Sequence, residues 1–270
     1  MKLTGWRNRV RKLIIAVLVV VALAVAADFG AAAFAEHTVA TQMRQQLALR
    51  SDPSVRINGF PFLTQALAGY YTAIDVQATG VSVDPLHDLD VEATLHDVDA
   101  PLAEVTSGDV HSVRAALVDG RVRIKDTDLG RAIGIEDLRI QQPSDQEIKE
   151  LLPARTPASD APHGDRAPVR MVATTDLVGQ RTEIVGIGLI QLTGGVVRIT
   201  VRDVRLAQDG GSVGLPRAVR QTLLNTLSTE VKPGQLPFAV TPTKVWVDTG
   251  SVVVEGTASN VSLNQMRTGG

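Results

Sequence analysis

The chain has 270 residues, 44% of them hydrophobic but only 3% aromatic, and it has no cysteine. Without thiols there is neither a disulfide framework nor a thiolate metal site, so stability must come from burial, for which this length is ample. Formal net charge is −2, and because the five basic residues ahead of Leu13 carry +5, the remainder sums to −7; an acidic body with no basic stripe excludes a nucleic-acid partner.

Those five residues, Lys2, Arg7, Arg9, Arg11 and Lys12, precede Leu13 to Ala27, an unbroken run of fifteen apolar residues, and no acid occurs before Asp28. A basic flank and such a run make an export signal with its positive end in the cytoplasm, which places the folded part in the cell envelope, on the periplasmic side of the cytoplasmic membrane. Ala33-Phe34-Ala35 offers an A-x-A cleavage site before Glu36. Small apolar residues nevertheless continue to Ala35, about the length of a membrane span. Residues 1–35 are therefore read as a signal peptide or a signal anchor, and residues 36–265 as one folded domain.

Ala31 to Leu49 reads as helix, with Val39, Met43 and Leu47 at i, i+4 and i+8, and Ser51-Asp52-Pro53 ends it. The stretch from Val55 to Gly80 then concentrates the aromatics: four of the nine in the chain, Phe60, Phe62, Tyr70 and Tyr71, fall within twelve positions. Pro61 fixes its own φ and pushes Phe60 toward an extended conformation, so G-F-P-F reads as a rigid apolar corner. Leu63, Leu67 and Tyr70 or Tyr71 follow at helical spacing, with Gly69 as a stop. Such a corner either seals one end of a sheet or forms the lip of an apolar ligand pocket.

From Ala73 the period switches to two: Ile74, Val76 and Ala78, then Leu89, Val91, Ala93 and Leu95, alternate with polar residues as in an antiparallel sheet with one wet face. Val113 to Val118 and Val122 to Ile124 flank Asp119-Gly120, a hairpin signal. Asp126-Thr127-Asp128 caps a short helix through Ile133, and Ser144-Asp145-Gln146-Glu147 is a capping-box pattern opening another to Leu152. Residues 153–168 hold four prolines and no large aliphatic residue, the composition of a flexible loop. Beyond it lie alternating segments at Val169 to Ala173, Glu183 to Leu192 and Val197 to Val201. A long helix follows Pro216, lined by Leu215, Val219, Leu223, Leu227 and Val231. After Leu236-Pro237-Phe238 a final hairpin turns at Asp248-Thr249-Gly250. The two halves echo each other, each pairing a helix with an aromatic-proline corner and alternating strands.

The five histidines show no metal-ligand spacing, so neither a metal nor another cofactor is expected. Gly186-Ile187-Gly188 sits in a strand pattern, where its glycines serve close backbone approach. Gly210-Gly211-Ser212-Val213-Gly214 satisfies G-x-S-x-G between a strand and a helix, which makes Ser212 a weak nucleophile candidate; no histidine follows it. Ser82 with His87 and Asp84, or His96 with Asp97 and Asp99, are further sets that spacing alone does not favour. Inner faces of Val, Ala, Ile and Leu with few aromatics are filled by an ordinary aliphatic core, by amphipathic helices, or by a lipid tail.

The run V-R-I-N-G-F-P-F-L-T-Q-A-L-A-G-Y-Y at 55–71, I-D-V-Q-A-T-G-V at 74–81, L-P-F-A-V at 236–240 and V-V-V-E-G-T-A-S-N-V-S-L at 252–263 resembles the actinobacterial LmeA-like phospholipid-binding family. The resemblance implies an α+β fold, a long and strongly curved antiparallel sheet wrapped around amphipathic helices in the manner of tubular lipid-binding domains. It implies an envelope protein that holds phospholipid or polyprenyl-phosphate-type lipid in an apolar groove and supports lipomannan elongation or envelope maintenance. Phe60, Pro61, Phe62, Leu63, Tyr70, Tyr71, Leu236 and Phe238 are the candidate lipid contacts. A phospholipase A1 activity has been ascribed to the family, which gives a lipid hydrolase as the alternative function; a ligand-free envelope scaffold is a third.

Overall fold

A computed structural model describes residues 4–103, 113–135, 137–151, 164–177, 180–193, 196–207, 217–231 and 241–262. Helix α1, Thr4–Gln46, spans 43 residues without interruption, merging the apolar segment and the amphipathic helix expected after it. No proline or glycine pair interrupts its Ala- and Val-rich sequence, so nothing stops the helix at the cleavage-site motif. It ends three residues before the expected Leu49: Ala48 takes φ of +51°, which turns the chain and carries the Leu49 side chain into the core.

Strands β1 (Ser54–Asn58), β2 (Tyr70–Val83), β3 (Leu86–Asp99) and β4 (Arg114–Lys125) join β10 (Thr241–Asp248) and β11 (Ser251–Ser262) in a six-stranded sheet of order β1-β2-β3-β4-β11-β10. Strands β5 (Arg139–Gln141), β6 (Arg166–Leu177), β7 (Gln180–Thr193), β8 (Val196–Leu206) and β9 (Thr229–Val231) make a second sheet in sequential order. Every pairing in both is antiparallel, as the period-two pattern requires. The short helices are α2 (Phe62–Ala68), α3 (Asp126–Ile133), α4 (Asp145–Leu151) and α5 (Arg217–Leu227). The fold is α+β, with two antiparallel sheets and an apolar amino-terminal helix.

Three local expectations need correction. Asp119-Gly120 is no hairpin: β4 runs straight through it, and Gly120 pairs with Ala93 on one side and Gly256 on the other. Helix α5 ends at Leu227, and Val231 pairs instead with Val197 in β9, where a β-branched residue fits a sheet edge better than a helix end. Arg166-Ala167-Pro168, at the end of the Pro-rich stretch, opens β6, and Gly164 bridges Val245. The capping box is formed: the Ser144 amide donates to Glu147 Oε2 at 2.8 Å, and the Glu147 amide donates back to Ser144 Oγ at 3.4 Å. Gly188 sits at the β7–β8 register shift, and a Cβ there would lie 2.5 Å from the Thr200 carbonyl oxygen, so close backbone approach does explain that glycine.

Two apolar clusters organise the interior. The larger joins Leu89, Ile124, Val247 and Val252 of the first sheet to Ile140, Met171, Ile184, Ile190 and Val201 of the second, with Leu227 of α5. The smaller closes the other end of the first sheet, where Phe62, Ala66, Tyr71, Leu95, Val98, Ala115 and Val118 pack together and Ala31, Ala32 and Ala35 of α1 lie against them. The carboxyl-terminal part of α1 thus packs against β1, α2 and the smaller cluster.

Candidate functional site

The aromatic corner is fixed by a carboxylate from the apolar helix. Asp28, only 4% exposed, accepts hydrogen bonds from the Phe62 amide on Oδ2 and the Leu63 amide on Oδ1, both at 2.8 Å. These are two of the amide groups that the first turn of α2 leaves without an intrahelical partner. Eight residues further along α1, Glu36 Oε1 accepts the Ile57 amide of β1 at 2.8 Å. The corner is closed from within by Gln65, whose amide nitrogen donates to the Asn58 carbonyl and whose oxygen accepts from the Thr72 amide. Gly59 makes room for it: its φ is +109°, and a Cβ would come within 2.6 Å of Gln65 Nε2.

The aromatic residues separate into two groups. Phe62 and Tyr71 face inward, with ring centroids 6.3 Å apart, in the smaller cluster. Phe60 stacks on Phe29 of α1 at 6.0 Å, and both stay outside, 61% and 63% exposed. Pro61 and Leu63 are exposed beside them, and Leu67 is 83% exposed. The helix expected from Leu63 and Leu67 exists and stops at Gly69, yet its buried stripe is Phe62 and Ala66. Tyr70 is exposed at the start of β2 and donates its hydroxyl to Asp97, a bond that raises the Tyr70 pKa. Leu236, Phe238 and Ser212 lie outside the described residues. Sequence reasoning missed Phe29 and Leu67 as members of the exposed group; the signal available for Phe29 was an aromatic directly after the first acid of the chain.

The Tyr71 hydroxyl is buried and has no hydrogen-bond partner among the described residues, and burial pushes the phenol's pKa up. A buried polar atom left unpaired costs about 1–3 kcal/mol, so it calls for an explanation. Next to this cluster, the inner face of the first sheet carries Ile74, Val76 and Ala258, and toward the larger cluster Val91, Val122 and Val254; all six are only half-buried. Ala93, Gly120 and Gly256 lie in register between the two groups and contribute almost no side-chain bulk. An apolar band of half-buried side chains therefore runs between the two clusters.

The outer face is different in chemistry. Arg121 bonds Glu255 Oε1 at 2.9 Å through Nε and reaches Glu92 at 3.3 Å, Arg123 bonds Asp248 at 3.0 Å, and Lys125 bridges Asp88 and Asp90. Hydrogen bonding to Glu255 raises the Arg121 pKa. Donors from Asn58 and Thr94 hold the Asp75 carboxyl below the ordinary carboxylate range. Two clefts open on this face, of about 550 Å³ beside Asp97, Asp99 and Arg114, and about 390 Å³ beside Glu92, Arg121 and Lys244. Both are lined mainly by polar side chains and do not match an acyl chain.

Neither histidine set assembles a serine nucleophile. His96 Nε2 lies 3.0 Å from Asp119 Oδ2 rather than on Asp97 or Asp99. Ser82 Oγ donates to the His87 carbonyl, and the His87 amide donates to Asp128. Among the described residues no group of three or more His, Asp and Glu stands close enough to hold a metal ion.

No curated protein and no solved structure matches the chain. The family described as LmeA-like phospholipid-binding does, from residue 26 to residue 257, a span that takes in Asp28, the aromatic corner and nearly all of both sheets. The chain belongs to the LmeA-like phospholipid-binding family.

Proposed function

We propose that this protein is held at the cytoplasmic membrane by α1, on the periplasmic side, and carries one lipid along the inner face of its first sheet. The observation that carries the reading is the half-buried band of Ile74, Val76, Val91, Val122, Val254 and Ala258 between two closed clusters. A band of this kind is stable in water only when covered, and an acyl or polyprenyl chain has the chemistry to cover it. Tyr71 supplies a buried donor beside it for an ester carbonyl or a phosphate oxygen. Phospholipid and polyprenyl-phosphate both offer the required tail and acceptor, and lipomannan maturation or envelope maintenance is the process such cargo serves.

Retention of α1 is supported by its role in the fold. Cleavage after Ala35 would remove Asp28 from the start of α2, Phe29 from Phe60, and Ala31, Ala32 and Ala35 from the smaller cluster. The family match also begins at residue 26, ahead of the cleavage motif. We accordingly place the start of the folded domain before Asp28 rather than at Glu36.

The test is to fill the band without adding charge. Val122→Phe combined with Val254→Phe places two rings where the tail would lie. Lipid extracted from the purified full-length protein and quantified by mass spectrometry is expected to fall severalfold relative to wild type. A folded double variant that retains its full lipid complement would remove the band as the binding surface.

A further inference from the structure

Among the described residues the α2 corner presents an exposed, uncharged apolar surface beside α1. The run Leu13 to Ala27 is exposed except at the half-buried Val25, which no water-soluble surface of that size tolerates. Fifteen residues at 1.5 Å each rise only about 22 Å, whereas the hydrocarbon core is about 30 Å thick. A span that begins at Leu13, after the last basic residue, therefore needs about 20 residues and reaches its outer boundary near Ala32. Asp28 then lies about 6 Å, and Phe29 about 4.5 Å, inside that boundary.

A carboxylate at that depth is tolerated only if it faces protein and is satisfied. Asp28 meets both conditions, since it is buried and each oxygen accepts a backbone amide of α2. The same bonds are short, so α2 has to sit at the depth of Asp28. Its outward side is the stacked Phe29–Phe60 pair with Leu63 and Leu67, all exposed, and the four side chains of that patch carry no charge. Phe34, 73% exposed and five residues above Phe29, falls at the headgroup level where aromatic side chains collect.

We infer that the α2 corner is a wedge seated in the outer leaflet of the membrane that α1 crosses, with Phe29, Phe60, Leu63 and Leu67 immersed among acyl chains. The occupant of this apolar face is the bilayer itself, and the patch is continuous with the exposed surface of the span. The wedge borders the smaller cluster and hence one end of the half-buried band, so a lipid moves from leaflet to band without its tail crossing water. The inference rests on retention of α1 as an anchor.

Because the chain has no cysteine, single-cysteine variants report position cleanly. Leu63→Cys, Leu67→Cys, Val20→Cys in the span and Thr257→Cys on the outer face of the first sheet are labelled with an NBD fluorophore in the full-length protein. Each is reconstituted into phosphatidylcholine–phosphatidylglycerol nanodiscs with or without lipid bearing a nitroxide on acyl carbon 5. Quenching severalfold stronger at Leu63 and Leu67 than at Thr257, with blue-shifted emission, is the expected result. Quenching at Leu63 and Leu67 no greater than at Thr257, while Val20 is quenched, overturns the wedge and leaves the anchor standing. An unquenched Val20 overturns both.

Discussion

Replacing Asp28 by alanine is the most informative single change, because one side chain links the apolar helix to the corner. Its two oxygens accept the Phe62 and Leu63 amides at 2.8 Å, and the residue is 4% exposed, so water does not readily take its place. A hydrogen bond to a charged group contributes about 1.5–3 kcal/mol, so two lost bonds set an expected loss of at least about 3 kcal/mol. That is a large share of the roughly 5–15 kcal/mol by which a domain is stable. Asp28→Asn keeps one oxygen acceptor and is expected to lose about half as much, roughly 1.5 kcal/mol. Denaturant unfolding of the full-length protein in micelles measures the loss, and amide hydrogen exchange locates it: protection at Phe62 and Leu63 should drop in both variants. An alanine variant within about 0.5 kcal/mol of wild type, with protection at those amides unchanged, would refute the argument that Asp28 docks the corner.

The remaining predictions follow from other groups at the two faces of the first sheet. Tyr71→Phe keeps the ring that packs on Phe62 and removes an unpaired buried hydroxyl, so the lipid-free protein is expected to gain about 1–2 kcal/mol while lipid retention falls; a less stable phenylalanine variant, measured by thermal unfolding after delipidation, would mean the hydroxyl has a partner. The Asp75 carboxyl is held below its ordinary value of 3.8 by Asn58 and Thr94, so it stabilises the folded state above that value and the contribution is lost as pH falls through the lowered pKa. Asp75→Asn should accordingly flatten the acid limb of stability against pH below about 4, read by unfolding at successive pH values, and leave the neutral region's slope unchanged; an acid limb as steep as wild type would contradict the assignment.

Much of this architecture could be read from the chain because it rests on local periodicity. Alternation at Ile74, Val76 and Ala78 gave β2 its correct inner face, and Ser144 with Glu147 marked the start of α4. What stayed hidden depends on distant partners. In α2 two apolar stripes share i, i+4 spacing, Leu63 with Leu67 and Phe62 with Ala66, and only the docking of Asp28 and the cluster around Tyr71 decides which is buried. Asp119-Gly120 carries a turn signal, yet it is overridden because β3 and β11 supply strands on both sides of β4. Asp128 looked like a helix cap; it is buried and accepts the amides of His87 and Asp88, about 40 residues away in sequence, just as Asp28 accepts those of Phe62 and Leu63. The exposed partner of Phe60 was invisible for the same reason, since Phe29 belongs to the stretch that reads as a leader.

The central claim is that a lipid lies along the inner face of the first sheet, and photo-crosslinking tests it most directly. A phospholipid with a diazirine near the end of one acyl chain, loaded into the full-length protein and irradiated, should leave adducts on peptides of β2, β4 and β11, at or beside Val76, Val122 and Val254. Adducts confined to Leu13 to Ala27, or found on the outer-face residues around Arg121 and Glu255, would contradict it.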